Sequence, residues 1–272
     1  MLTIGWFSTG RDEAARQLLQ VVFHKVQTGE IEGTIAFVFS NREPGEAKQS
    51  DLFFELVRSY HIPLICFSSK KFEATQNVAD KADGEILRKW RLEYDTEVMK
   101  RLQGFKQDLC VLAGYMLIVG KDMCQSYDMI NLHPAAPGGP KGSWQEVIWA
   151  LMEDNAAESG VMMHLVTPEL DRGPVITYCT FPIRGEHFDK HWRETDGHPV
   201  AEIKKGQGEN NALFKLIRQH GLAREFPLIV STLRAFSRSE VKIEAGVIFD
   251  RYGKPIPGYD LTDEVDRAVE LR

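Results

Sequence analysis

The chain has 272 residues, of which 43% are hydrophobic and 26% charged, values that are ordinary for a globular protein with a substantial core. Its formal net charge is -6, with 39 acidic residues against 33 lysines and arginines, and the basic residues are scattered along the chain. We therefore expect no nucleic acid as the main partner.

No apolar run approaches the ~20 residues that a membrane-spanning helix needs, and Met1 opens a strand directly with no basic leader segment. We therefore expect no membrane partner and a cytoplasmic protein. The four cysteines, Cys66, Cys110, Cys124 and Cys179, are far apart and form no CxxC pair. This spacing predicts buried free thiols, with neither a metal site nor a disulfide framework.

The first part of the chain alternates between strands and helices. Strands are predicted over residues 2–8, 31–39 and 62–67, and amphipathic helices over residues 12–26 and 51–60. The order β-α-β-α-β implies a parallel sheet with crossover helices.

Next comes the longest predicted helix of the first half, over residues 81–104, with apolar residues near a 3.6 period and Gly104 as C-cap. Residues 108–113 do not alternate, which indicates a strand buried on both faces. Ligands collect at the carboxyl ends of parallel strands, so we expect one rim to hold Ser8, Ser40, Tyr115 and Asn131.

The second half predicts a helix over residues 143–153 and an antiparallel pair of strands, 160–166 and 175–183, around the loop 167–174. Few elements can be placed in the polar residues 184–210. A helix over 211–235, which Pro227 can interrupt, precedes a strand over 241–248 and a turn at 252–255. We expect one α/β domain over residues 1–183, a polar insertion over 184–210, and a segment over 211–272 that completes the same domain.

Three polar residues stand out as candidates for catalysis. Asn131 and His133 are two apart on an extended backbone and therefore point to the same face. Taken singly, His133 would be a structural histidine, Asn131 a turn residue and Asp171 a loop cap. Together they supply an amide donor, a base with a pKa near neutrality, and a carboxylate that can orient or charge it.

Three segments resemble the folate-dependent formyltransferases: Asn131-Leu132-His133-Pro134, the strand and loop 111–116, and residues 164–176, which contain Leu-Asp-Arg-Gly-Pro. The likeness covers residues 1–183 and 225–258, and is greatest to the branch that acts on glycinamide ribonucleotide. It implies a Rossmann-like formyltransferase fold, a mostly parallel sheet with helices on both faces. It also implies transfer of a formyl group from 10-formyltetrahydrofolate to an amine, first of all that of phosphoribosylglycinamide, without a metal.

The resemblance assigns roles residue by residue. Asn131 would hydrogen-bond the formyl oxygen, His133 would act as general acid, and Asp171 would hold its imidazole protonated. The folate would be bound by Arg91, Met116, Leu117, Ile118, Val119, Asn131, Val166, Thr167, Pro168, Glu169, Leu170 and Asp171, and the acceptor by Ser8, Thr9, Gly10 and Arg11. Without the resemblance, residues 116–119 could also be the start of a core helix, and Arg91 on an amphipathic helix would be a solvated charge. His164 is better explained as a structural partner of the loop than as a second base.

The acceptor side departs from the family pattern. Where relatives have Gly-Ser-Asn to hold a phosphate at a helix N-terminus, this chain has Arg11-Asp12-Glu13, whose carboxylates repel a phosphate. Leu222 stands where the family uses an acid on the amine side.

The loop after His133 also differs, over residues 135–142, and Trp144 and Glu146 add an aromatic and an acid near the site. Residues 185–210 suit a lid, a new acceptor contact or a surface excursion.

Three other functions stay open: a formyltransferase with another amine acceptor, a formyltetrahydrofolate hydrolase, and a non-catalytic folate- or nucleotide-binding protein. Retention of Asn131, His133 and Asp171 together argues against the last. The oligomeric state is expected to be monomer or homodimer.

Overall fold

The computed structural model describes residues 1–75 and 84–270. Its strands are Leu2–Phe7 (β1), Gly33–Ser40 (β2), Leu64–Cys66 (β3), Leu109–Leu112 (β4), Met129–His133 (β5), Glu158–Leu165 (β6), Val175–Pro182 (β7), Val241–Glu244 (β8), Val247–Asp250 (β9) and Tyr259–Asp260 (β10). Its helices are Glu13–Gln27 (α1), Lys48–Ser59 (α2), Ser69–Thr75 (α3), Gly84–Leu102 (α4), Lys121–Ser126 (α5), Trp144–Glu153 (α6), Glu186–Thr195 (α7), Val200–Gly206 (α8), Ala212–Ser237 (α9) and Thr262–Glu270 (α10), with a 3-10 turn at Gly208–Asn210.

A mostly parallel sheet organises the molecule. Its eight strands follow the order β10-β7-β6-β5-β4-β1-β2-β3, and β6 alone among these eight runs antiparallel to its neighbours. The predicted β-α-β-α-β order and the antiparallel pair β6 and β7 are confirmed. Because the strand order reverses beside β1, the carboxyl ends of β1, β4 and β5 meet at one edge, where ligands bind in such sheets.

Helices cover both faces of this sheet, as predicted. On one face a buried apolar cluster joins Ile4 and Trp6 of β1 to α1, α2, α9 and α10. On the other, Phe7 and Phe39 pack against α4 and α5. Alternate residues of β1 thus serve opposite cores, because successive side chains of a strand point to opposite faces.

The polar residues 184–210 are folded instead of forming an irregular excursion. Phe188 and Trp192, four residues apart on α7, are buried with Ile203 of α8 in a third apolar cluster against α6 and α9. The Trp192 indole donates to the Ile183 carbonyl. The sequence prediction missed these helices because each carries only two or three apolar residues.

Two other predictions need correction. Residues 241–248 form the hairpin of β8 and β9 instead of one strand, since Ala245 and Gly246 turn the chain with φ of 49° and 78°. Helix α9 continues through the buried Pro227 and is not broken there. Helix α4 is described from Gly84 onward, and residues 81–83 of its predicted start lie outside the described residues.

None of the helices described over residues 1–75 and 84–270 is long and apolar enough to cross a membrane. All four cysteines are free thiols; Cys110 and Cys179 are buried as expected, whereas Cys66 and Cys124 are half-buried.

Candidate active site

The first loop and the loop after β4 are tied together at the carboxyl edge of the sheet. The Thr9 amide donates to the Gly114 carbonyl at 3.1 Å, and the Met116 amide donates to Thr9 Oγ1 at 3.0 Å. Residues 116–119 therefore form a loop, as the resemblance implied, and helix α5 begins only at Lys121. The loops that follow β1 and β4, two parts of the predicted rim, are thus joined.

Asn131 and His133, both on β5, meet two side chains from the antiparallel side of the sheet. The strand register places His164 of β6 opposite Asn131, with Asn131 Nδ2 3.2 Å from His164 Nε2. Asp171 Oδ1 lies 3.5 Å from His164 Nε2, and Asp171 Oδ2 lies 3.7 Å from His133 Nδ1. Both imidazoles are buried, at 2% and 3% exposure. The three residues singled out from sequence converge, with His164 as a fourth member.

The loop that carries Asp171 has a backbone that few other sequences can adopt. Asp171 lies in the left-handed region with φ of 51°, a conformation that Asp tolerates better than most residues. A Cβ on Gly173 would lie 1.6 Å from the Leu165 carbonyl oxygen. Only glycine fits there, which explains the Leu-Asp-x-Gly-Pro pattern in physical terms.

His164 acts on Asn131 through a defined hydrogen-bond direction. Its Nδ1 lies 3.0 Å from the Leu165 carbonyl oxygen, which can only accept, so Nδ1 carries the proton. Nε2 is then free to accept from the Asn131 amide. One amide hydrogen is used in this contact and the other remains for a ligand. This arrangement agrees with His164 as a structural partner.

The charges at the site differ from the expectation that Asp171 keeps His133 protonated. Burial lowers the pKa of His133, and although the Pro140 carbonyl and Asp171 both raise it, the net pKa lies below its ordinary value of 6.5. Burial raises the pKa of Asp171, but in the acidic range where this carboxyl titrates, the protonated rings of His164 and His133 lower it more, so its net pKa falls below 3.8. At neutral pH the free protein therefore holds a neutral His133 beside an ionised Asp171.

The loop over residues 135–142 covers His133. Its Pro140 carbonyl oxygen lies 3.1 Å from His133 Nε2 and accepts a hydrogen bond from it. The Gly142 amide donates to Asp171 Oδ2 at 3.4 Å, so the same loop touches two of the three candidate residues. The sequence contains no signal for these backbone contacts, and the prediction missed them.

Glu146, expected as an extra acid near the site, has a local role instead. Its carboxylate accepts from both the amide and the hydroxyl of Ser143, and the Ser143 hydroxyl accepts from the Glu146 amide in return. This capping box starts α6. The Glu146 side chain is exposed, and the hydrogen bonds from Ser143 lower the pKa of its carboxyl.

The two segments predicted to hold folate face one another across a small pocket. Leu117, Ile118 and Val119 line one side, and Val166, Thr167, Leu170 and Asp171 line the other, with Asn131 and His164 at the base. Its volume is about 60 Å³, well below the roughly 300 Å³ at which ligand clefts begin. The pocket is therefore smaller than a pterin-sized ligand requires.

The other predicted folate residues lie around this pocket but do not line it. Pro168 and Glu169 belong to the adjoining turn, and Met116 is 48% exposed at its outer side. Arg91 on α4 acts on Asp95, which lies under the same loop and accepts from the Gly120 amide. Arg91 thus influences the charge of Asp95 and does not line the pocket.

The predicted acceptor residues are committed to other protein groups. Asp12 caps α1 by accepting from the Ala15 amide at 3.0 Å, and Arg11 Nε is paired with the same carboxylate at 3.2 Å. Ser8 and Thr9 are buried; the Ser8 hydroxyl accepts from the Gly10 amide and the Thr9 hydroxyl donates to Asn41. The N-terminus of α1 is therefore closed by its own side chain.

A partly buried ion pair on α9 was not predicted from the sequence. Arg218 and Glu225, seven residues apart on one helix face, are paired, and the Arg218 guanidinium lies 4.6 Å from the Trp144 ring centroid. Burial raises the pKa of Glu225, Arg218 lowers it, and the net direction is upward. Leu222, where the family has an acid, is half-buried one turn earlier. The sequence signal that could have predicted this pair is the seven-residue spacing of Arg218 and Glu225 on an otherwise apolar helix face.

Comparison with known proteins gives relatives along most of the chain. The chain is 28% identical over 168 residues to phosphoribosylglycinamide formyltransferase of Escherichia coli, covering 61% of this chain and 68% of that protein. It is also 28% identical over 193 residues to the enzyme of that name from Saccharomyces cerevisiae, covering 61% and 87%.

Solved structures share the fold over nearly the full length. Phosphoribosylglycinamide formyltransferase of Coxiella burnetii superposes with a TM-score of 0.66 at 20% identity, covering 95% of this chain and 98% of that chain. A formyltetrahydrofolate deformylase of Pseudomonas syringae superposes with a TM-score of 0.58 at 20% identity, covering 91% and 65%. The family model described as formyl transferase matches residues 13–191, more than half of the sequence, and the chain therefore belongs to the formyl transferase family.

Proposed function

We propose that this protein transfers the formyl group of 10-formyltetrahydrofolate to the amine of phosphoribosylglycinamide. The observation that carries the proposal is the convergence of Asn131, His133 and Asp171 beside a pocket lined by both predicted folate segments. The activity in the names of the E. coli and yeast relatives supports the choice of acceptor.

In this proposal Asn131 stabilises the oxyanion. Its second amide hydrogen, left over from the contact with His164, points to the formyl oxygen as the amine attacks the formyl carbon. A preorganised donor aimed at a developing oxyanion is worth about 3 kcal/mol in a site that excludes water. Because His164 already holds the Asn131 amide in this direction, the amide does not have to reorient during the reaction.

His133 moves the proton. Because its imidazole is neutral at neutral pH, it can take the proton that the acceptor nitrogen loses on forming the new C–N bond. It then returns that proton to N10 of the folate as the bond between N10 and the formyl carbon breaks. Asp171 stabilises the imidazolium that exists between the two transfers. Proton acceptance at Nε2 requires that Pro140 release this nitrogen and that the neutral ring carry its own proton on Nδ1, toward Asp171.

A second candidate function has water as the acceptor. The observation in its favour is the closed N-terminus of α1, where Asp12 occupies the amide that would otherwise be offered to a phosphate. A hydrolase needs no phosphate site, and a deformylase is among the proteins that share the fold.

The test is a panel of acceptors. Purified protein with 10-formyltetrahydrofolate is given phosphoribosylglycinamide, a sugar amine or no acceptor, and deformylated folate is followed by absorbance. We expect turnover that depends on phosphoribosylglycinamide and is lost in His133→Ala. Equal turnover without acceptor would establish the hydrolase, and folate binding without turnover under any condition would leave only a binding protein.

A further inference from the structure

This inference rests on the proposed function and concerns the phosphate of the acceptor. A phosphate is commonly held by backbone amides at a helix N-terminus. Here Asp12 satisfies the Ala15 amide at 3.0 Å and also pairs with Arg11 at 3.2 Å. A second negative charge would meet a carboxylate at that point, so a phosphate-bearing acceptor needs cations elsewhere along the same edge of the sheet.

A cavity of about 580 Å³ lies beside the first loop, at the carboxyl ends of β1 and β2. Its lining includes Thr9, Asn41, Arg42, Ser69, Lys70 and Met116. Met116 belongs to the loop whose next three residues line the proposed folate pocket. The cavity therefore runs from the neighbourhood of the reaction site toward the two basic residues, and its volume falls in the range of small-molecule sites.

The polar groups of the cavity floor form one hydrogen-bonded chain. The Met116 amide donates to Thr9 Oγ1 at 3.0 Å, Thr9 Oγ1 donates to Asn41 Oδ1 at 2.7 Å, and Asn41 Nδ2 donates to Ser69 Oγ at 3.3 Å. Thr9 and Asn41 are buried. Such a floor is rigid, because each group already has its partner.

Arg42 is anchored in this floor with its charge unpaired. Its Nη1 donates to Ser50 Oγ at 3.0 Å, and the Ser50 hydroxyl donates to the Thr9 carbonyl at 3.1 Å. Among residues 1–75 and 84–270, neither Arg42 nor Lys70 forms a salt bridge. Lys71 does, with Glu43 at 2.7 Å and with Glu46, an acid of the cavity wall, at 3.9 Å. Lys71 thus serves both carboxylates, whereas Arg42 and Lys70 have no acidic partner among the described residues.

We propose that this cavity binds the phosphate of the acceptor through Arg42 and Lys70, in place of the amides at the N-terminus of α1. Arg42 offers a planar fork that matches two phosphate oxygens, and Lys70 adds a mobile point charge. The acceptor would lie over Thr9 and Asn41 with its amine toward Met116 and Asn131. The chemical class assigned to the cavity is a phosphorylated sugar amide with a free amine.

The test measures phosphate binding separately from turnover. Lys70→Ala, Arg42→Gln and the double variant are compared with wild type and with Lys48→Ala, an exposed lysine at the start of α2 that does not line the cavity. Circular dichroism melting confirms that each variant folds. Calorimetric titration with inorganic phosphate and with ribose 5-phosphate should show Kd raised about 10-fold in each single variant and about 100-fold in the double variant, with Lys48→Ala unchanged.

Steady-state kinetics then assign the ligand. The Michaelis constant for phosphoribosylglycinamide should rise in parallel with the phosphate Kd, while that for 10-formyltetrahydrofolate and kcat stay within about 2-fold of wild type. Unchanged phosphate affinity in the double variant would overturn the proposal. A rise confined to the Michaelis constant for folate, and larger for a polyglutamylated folate, would also overturn the proposal. It would show that the cavity binds the folate tail. Loss of phosphate binding in the variants of a protein that transfers no formyl group would uphold the anion site and overturn the proposed function.

Discussion

Nδ1 of His133 lies 3.7 Å from the Asp171 carboxylate, longer than a hydrogen bond, while Nε2 of the same ring is bonded to the Pro140 carbonyl at 3.1 Å. Asp171 therefore acts on His133 through its charge, and the loop over residues 135–142 holds the nitrogen that must exchange a proton. The groups to which we assign the proposed reaction are therefore assembled but covered. In that reaction, substrate binding would have to draw this loop away and shorten the contact with Asp171.

Removing the charge of Asp171 should reduce turnover more than binding. In Asp171→Asn the imidazolium formed during proton transfer loses its counter-charge, so kcat should fall by about 100-fold or more. The dissociation constant of a folate analogue should change by less than about 3-fold, because most of the predicted folate contacts come from other residues. Stopped-flow rates and fluorescence titration measure the two effects. Asp122→Asn, an exposed acid on α5, is the matched control; wild-type turnover in Asp171→Asn would make the carboxylate structural.

The pH dependence of kcat/KM should report His133. Since the neutral imidazole accepts the proton, activity should rise with pH through the pKa of His133 and level off above it. Burial places that pKa below 6.5, and Asp171 is one of the groups that raise it. The acid limb should therefore lie below pH 6.5 in wild type and move to still lower pH in Asp171→Asn. A limb above pH 7, or one that the variant shifts upward, contradicts this assignment of protonation states.

His164 is predicted to be a positioning residue. In His164→Ala the Asn131 amide loses the acceptor at 3.2 Å and is free to rotate, so kcat should drop about 10-fold to 100-fold while the Michaelis constant for folate is little altered. His164→Gln keeps an acceptor near the amide and should recover part of kcat. His24→Ala, an exposed imidazole on α1, controls for loss of a histidine. Equal loss of kcat in the alanine and glutamine variants would exclude orientation as the cause.

Asp95 should make stability depend on pH. Burial is the main cause of its pKa being raised from 3.8 to about 6, although the Gly120 amide and Arg91 lower it. The folded state holds the Asp95 proton more tightly than the unfolded state does. The contribution of protonated Asp95 to the free energy of unfolding is therefore fully present below pH 3.8 and lost as the pH rises through about 6.

Asp95→Asn keeps an acceptor for the Gly120 amide without the buried charge. At about 1.4 kcal/mol per pKa unit, it should raise the free energy of unfolding at pH 8 by up to about 3 kcal/mol. Urea unfolding from pH 4 to 8 tests this, with Glu55→Gln on α2 as an exposed control. A variant less stable than wild type at pH 8 would show that the charged form is required.

The features that sequence analysis predicted are those with a local cause. The run of β4 and the period of α1 identify parallel strands and helices, and Asn131 and His133 share a face because they are two apart on a strand. The Asp171 loop is recognisable because only Gly173 permits its approach to Leu165. These signals predict the strands and helices that have a clear period, and the side chains that share a face.

Two of the missed features depend on contacts between distant segments, and two others on local backbone geometry. Burial lowers the pKa of His133 more than Asp171 raises it, and the Pro140 carbonyl binds the other ring nitrogen. Both effects arise because the loop over residues 135–142 folds back over the ring. The closure of α1 required knowing that Asp12 turns inward to the Ala15 amide. The hairpin of β8 and β9 was missed because Ala245 is an uncommon residue for a positive φ.

One measurement tests the central claim most directly. Folate carrying a ¹³C-labelled formyl group is mixed with the protein and phosphoribosylglycinamide, and the fate of the label is followed by ¹³C NMR. Formyl transfer predicts that the label appears as a formamide carbon in an amount equal to the acceptor consumed, at a rate that His133→Ala reduces by orders of magnitude. Label released as formate at the same rate with and without the acceptor would contradict the account.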